Sequence, residues 1–207
     1  RFRALGIGVC VVVALHAGIY GLAFSQLYTV EDSRIQAARW LEMNLPQGTR
    51  IGVERGGFTL LPLVSKDRFQ SVVLNLSTLF EARGYMSCTA QFEYLRHDRL
   101  LGLDYIAIID VNRYAQYTTA PRLLPVAAGF YQRLVQGTLG FELVARFKNY
   151  PSWSVFQFGD DGAEASFIGF DHPAVFVLER KSDKAVAAAM ARWQEELSEN
   201  RNCADAA

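Results

Sequence analysis

From Ala4 to Phe24 the chain carries no charged side chain, and His16 is the strongly polar group among those 21 residues. A helix of that length rises about 30 Å, the hydrocarbon thickness of a bilayer. Arg1 and Arg3 flank its start, and Glu31 and Asp32 follow its end. The positive-inside rule places the arginines in the cytoplasm and everything after Phe24 on the extracytoplasmic side of the cell membrane. Tyr20 and Tyr28 suit the outer interface. A cleaved signal peptide has a shorter apolar core, about 7–15 residues, ending in a small-x-small site. Gly21 and Ala23 imitate that site, but the core runs past the usual length. A buried helix of a soluble protein seldom extends this far without a charge. A membrane span is therefore expected over 1–27 with its flanks. Ala14, Ala17, Gly18 and Gly21 share one helical face, which predicts neighbouring transmembrane helices on that side as well as contact with lipid. The simpler reading, that Ala and Gly are common in any membrane helix, stands beside it. His16, on the opposite side, is best read as a neutral imidazole bonded to a neighbouring helix.

The remainder is near neutral. Lys+Arg and Asp+Glu number 21 each in the 207 residues, which argues against a nucleic-acid partner. A charged fraction of 20% with 51% hydrophobic residues excludes a disordered chain. Three cysteines make no disulfide framework, and none has zinc-ligand spacing. Cys10 falls in the membrane. A Cys88–Cys203 bridge is conceivable outside the cell, but free thiols are the expectation. The first residue is Arg rather than Met, so a longer parent protein is expected.

Hydrophobic periodicity outlines the soluble part. A helix capped by Asp32 or Ser33 runs to Asn44 with Ile35, Ala38, Leu41 and Leu45 inward. Strands follow at Arg50–Glu54 and Ser71–Leu76. A helix over Thr89–Leu101, capped by Thr89, buries Phe92, Leu95 and Leu100 or Leu101. Tyr105 to Ile109 is apolar on both faces, as in a central strand covered by helices. A helix spans Pro125–Gln136. Phe141–Phe147 and Trp153–Phe158 read as strands, pairing as a hairpin around Tyr150–Pro151. A last strand at Ala174–Leu178 precedes a helix capped by Ser182 with the stripe Val186, Met190, Trp193 and Leu197. This order predicts an α/β fold: a single membrane helix, then a compact domain over 28–181 with a mixed, partly parallel sheet covered by helices. Residues 182–207 form a C-terminal amphipathic helix and frayed tail.

Phosphate-binding, dinucleotide, zinc-protease and nucleophile-elbow motifs are all missing from the sequence. His97–Asp98 sits among Arg96 and Arg99, which fits a solvated face better than a catalytic pair. Asp160 and Asp161, with Glu164 close by, form an acidic loop before Asp171, His172 and Pro173 that would suit a hard cation through oxygen ligands, but ordinary turn chemistry explains these residues better. Asn75–Leu76–Ser77 matches a glycosylation sequon. Glu54 and Arg55 end the first strand and lead into Gly56–Gly57. Ligands approach open α/β sheets at the carboxyl ends of strands, so Glu54 and Arg55 are the candidate substrate-facing residues; an ordinary glycine turn with a surface ion pair is the competing reading. No catalytic residue and no metal ligand is assigned.

The distal third carries a recognisable series. Phe141, Glu142, Leu143, Val144, Ala145 and Phe147 lead to Tyr150–Pro151. Ala163, Glu164, Ser166 and Phe167 follow, then Asp171, His172, Pro173 and Val175. This series resembles the extracytoplasmic C-terminal region of polytopic membrane glycosyltransferases of the protein mannosyltransferase kind (glycosyltransferase family 39). The "YYY" membrane proteins of archaea and bacteria are especially similar. Ala38, Trp40, Leu41, Pro46, Gly48 and Ile51, then Asp104, Tyr105 and Ile106, fit upstream. The resemblance spans roughly residues 30–185. It departs after Glu54, where the family has a Trp and acidic residues and this chain has Arg55, Gly56, Gly57 and Phe58.

The resemblance implies inverting sugar transfer from a polyprenyl-phosphate sugar to an acceptor, both met through the parent protein. The family's catalytic acids lie in its first extracytoplasmic loop, outside this chain, so this part is expected to be accessory and inactive alone. It implies no cofactor for this part, with a divalent cation possible in the parent enzyme. The alternative is a single-span, membrane-anchored binding or interaction domain without enzymatic activity. A secreted hydrolase behind a signal peptide, cleaved near Ala23, is a third reading.

Overall fold

The computed structural model describes residues 2–54, 64–74, 87–96, 100–109, 114–199 and 203. Helix α1, Phe2–Ser25, is exposed along nearly all its length and buries Ala23 alone. Among the described residues it begins the one helical stretch long and apolar enough to cross a membrane. A 3-10 turn, Gln26–Thr29, follows. Helix α2, Ser33–Asn44, then starts at Asp32, whose side chain accepts from Arg34 N–H as an N-cap.

The sheet has five strands in the order β2-β1-β3-β7-β4. They are β1 Arg50–Glu54, β2 Gln70–Leu74, β3 Tyr105–Ile109, β4 Phe141–Phe147 and β7 Val175–Arg180. β1 is parallel to β2 and β3, while β7 runs antiparallel to β3 and β4. The partly parallel sheet expected from the element order is the one observed.

Alternation along the strands feeds two cores. Ile106, Ile108, Phe176 and Leu178 point to one face, Ile51, Val53, Ala107, Ile109, Val175 and Val177 to the other. The first face is covered by α3 Cys88–Leu95, α5 Pro125–Val135 and α7 Asp183–Glu199 through Phe92, Leu95, Phe130, Tyr131, Val186, Met190 and Trp193. The second is covered by α2, through Ala37 and Leu41, and by α6 Ala165–Asp171, through Ile168. A short helix α4, Ala115–Thr118, precedes α5. Gly140 admits β4 under the start of α7: its φ is 86°, and an added Cβ would lie 2.7 Å from the Val186 backbone.

Several sequence expectations need correction. Ile35 is exposed, because the inward face of α2 is set by Ser33, Ala37 and Leu41. Ser33 Oγ donates to Pro173 O at 2.5 Å, and the small side chains bring α2 close to the sheet. The α3 cap is Ser87, which accepts from Ala90 N–H, and not Thr89. Leu101 is exposed and Leu100 buried. The expected pairing of Phe141–Phe147 with Trp153–Phe158 does not form. β4 pairs with β7, and the second segment folds on itself as β5 Ser152–Trp153 and β6 Phe156–Gln157. Ser154, at φ 55°, makes the reversal between them. Helix α6 is an addition to the elements expected from the sequence, its seven residues being too few to display a period. Cys88 and Cys203, expected to be free, form a disulfide with Cα atoms 5.4 Å apart. They are separated by 115 residues, so no local signal announces the pair. Packing α7 against α3, with Trp193 edge-on to Phe92, delivers the tail to the start of α3.

Candidate functional site

β1, β2, β3 and β4 all end at one edge of the sheet. The registers place Glu54 beside Leu74, and both Ile109 and Phe147 beside Val175. β7 begins at that edge; of the residues before it, His172 meets Phe24 of α1, Asp171 accepts from Tyr28 in the turn after α1, and Pro173 O accepts from Ser33 at the start of α2. The strand ends and the end of the long apolar helix α1 therefore share one side of the domain.

Glu54 is buried at this edge. Its carboxylate accepts from Ile109 N–H at 3.2 Å and from the Tyr131 hydroxyl on α5. The expectation of a substrate-facing Glu54 thus meets a side chain engaged by two neighbouring elements, with its backbone at the strand-end edge. Arg55, the other candidate, lies outside the described residues, as do Gly56–Gly57, His97–Asp98 and the Asn75–Ser77 sequon. So does the chain that leaves β1, β2 and β3, at 55–63, 75–86 and 110–113. Sequence reasoning did not find Tyr131, since a tyrosine in an apolar helical stripe carries no mark of its partner.

The second cluster is the joint with α1. Phe24 stacks on Phe167, ring centroids 5.1 Å apart, and meets the edges of Tyr28 and His172. Tyr20 packs edge-on against Phe158 at 5.7 Å. Tyr28 O–H donates to Asp171 at 2.8 Å, and that hydrogen bond, with some desolvation, raises its pKa above the usual phenol value. Beneath these rings the buried His172 Nε2 lies 2.5 Å from Asp160 Oδ2. Lys148, its ammonium also buried, is 3.6 Å from Asp160 and 2.5 Å from Asp161. The Lys148 hydrogen bond holds the Asp161 carboxyl below its ordinary range.

The acidic residues of this loop are thus ion-pair and hydrogen-bond partners of Lys148, His172 and Tyr28. Among the described residues no group of three His, Cys, Asp or Glu is arranged to hold a metal. Phe167, Asp171 and His172, from the series that carries the family resemblance, all meet at this joint. The face of Ala14, Ala17, Gly18 and Gly21 is exposed.

The chain matches no model of a known protein family, no curated protein and no solved structure.

Proposed function

We propose that this chain is the outward-facing accessory part of a polytopic membrane glycosyltransferase that draws sugar from a polyprenyl-phosphate donor. One observation carries the reading: the sheet edge at which α/β folds take ligands is the edge fastened to the membrane helix. A water-borne ligand imposes no such orientation. A donor whose lipid tail lies in the bilayer and whose sugar stands at its surface does. The resemblance over Phe141–Val175 supports the same reading, and its residues build the joint that fixes the orientation. The extracytoplasmic side is supported by Arg1 and Arg3 at the inner end of α1 and by the Cys88–Cys203 disulfide, a bond that persists in oxidising compartments.

In this role the domain contributes position. The joint holds the strand ends at a fixed height over the bilayer, and catalytic acids come from elsewhere in the parent protein. The test is sugar transfer from polyprenyl-phosphate donors in membranes that hold the complete gene product. Transfer is expected, with loss on deletion of residues 28–207, and none from the isolated soluble domain. A gene encoding only one membrane span would overturn the proposal and leave an anchored binding module.

A further inference from the structure

We propose that the β5–β6 turn and helix α6 form a foot set into the bilayer leaflet beside α1, so that the chain grips lipid at two places. This rests on α1 crossing a membrane and not on sugar transfer.

Residues 149–159 contain no charge. Their turn displays Trp153, Val155 and Phe156, with Val155 87% and Phe156 60% exposed. Against the same last turns of α1, α6 displays Phe167 and Phe170, three residues apart on one helical face, with Phe170 61% exposed. Exposed apolar residues are common one at a time, but a contiguous aromatic patch marks an interaction surface.

Its position identifies the occupant. Phe158, directly after β6, touches Tyr20, and Tyr20 lies one helical turn before Phe24, about 6 Å deeper along α1. Since Ala4–Phe24 spans the hydrocarbon thickness, the Tyr20 level falls inside its boundary, and Phe158, at the base of the hairpin, meets α1 at that depth. Phe167 is pinned to Phe24, at the boundary itself. Charge returns at both ends of the segment, where Lys148 and Asp161 pair at 2.5 Å. Trp and Phe at the boundary with charge just beyond is the distribution of an interfacial element.

The experiment uses the whole chain in phosphatidylcholine vesicles with Cys10→Ser as background. A nitroxide is placed by Val155→Cys or Phe170→Cys, with Leu15→Cys on α1 and Leu123→Cys on the exposed loop before α5 as references. Collision with oxygen, which partitions into lipid, is compared with collision with a water-soluble nickel complex. The oxygen-to-nickel ratio at 155 and 170 is expected to approach that at 15 and to exceed that at 123 several-fold. Nickel access at 155 equal to that at 123 would overturn the proposal. Shielding of 155 from both reagents would also overturn it, by placing protein there. Nickel access at 15 would remove the membrane helix and the foot together.

Discussion

The Cys88–Cys203 bridge offers the most direct test of how the C-terminal half is held. It closes a loop of 115 residues around α3, β3, β4, β7 and α7. In the chain-entropy account, removing that loop from the unfolded ensemble is worth about 4.8 kcal/mol at 25 °C, and measured bridges span about 0–5. The perturbation is the double variant Cys88→Ser/Cys203→Ser, with both sites changed so that no new free thiol remains. Urea unfolding of the detergent-solubilised chain is followed by tryptophan fluorescence, because Trp193 is buried against Phe92 on the helix the bridge ties down. With a slope of about 2 kcal/mol/M, the full entropic term lowers the midpoint by about 2.4 M. A thiol count on unreduced protein gives an independent reading: one free thiol, Cys10, is expected among the described cysteines. Three reactive thiols in the native chain would refute the bridge, and equal midpoints would refute the chain-entropy account of its worth.

Trp193→Ala removes a fully buried ring that meets Phe92 edge-on at 5.1 Å and carries the Arg133 guanidinium 5.3 Å from its centroid; a loss of about 3–5 kcal/mol is expected in the same urea titration. Tyr131→Phe keeps the ring in its pocket but withdraws a donor from the buried Glu54 carboxylate, costing about 1–3 kcal/mol. Burial and the hydrogen bond donated to Glu179 at 2.7 Å push the Tyr105 phenol up to about 12. Its folded pKa thus lies above the unfolded value near 10, so the stability it contributes is complete below pH 10 and is lost as pH rises through about 12. Tyr105→Phe should flatten that alkaline decline, and an unchanged pH profile would count against the Tyr105–Glu179 bond.

What could be read from the residues followed the reach of each signal. A run of 21 residues without charge gave α1, since its length and apolarity lie within the run itself. The apolar run at Tyr105–Ile109 gave the middle strand, and the 3–4 spacing of Val186, Met190, Trp193 and Leu197 gave the face of α7; all four are buried. Signals that depend on a distant partner were lost. Trp153–Phe158 has strand-like alternation, yet nothing local says that it turns at Ser154 and pairs with itself. Ile35 fits a helical period as well as Ala37 does, and only the close approach of Ser33 to Pro173 decides which face turns inward. Glu54 was noticed for standing at a strand end. Its engagement by Tyr131, 77 residues later, is a product of the fold.

The link between α1 and the domain separates two kinds of membrane-attached protein. A module that searches for partners is served by a leash, which in composition is rich in Gly and Ser. Ser25–Asp32 contains no Gly and no Pro, and its polar groups are committed. Thr29 Oγ1 donates to Gln26 O at 2.8 Å, Glu31 O accepts from Gln36 at 2.6 Å and from Asn149 at 2.7 Å, and Asp32 caps α2. Asn149 belongs to the segment after β4, so the link is bonded to the sheet as well as to its own helix. Together with the Phe24–Phe167 stack this leaves no slack. Any tilt of α1 carries His172, Val175 and the strand-end edge with it. In the proposed function this link sets the height of that edge over the bilayer in place of reach. Such a height does nothing for a ligand arriving from water, whereas for the lipid-held donor proposed above it decides whether the strand ends are met at all.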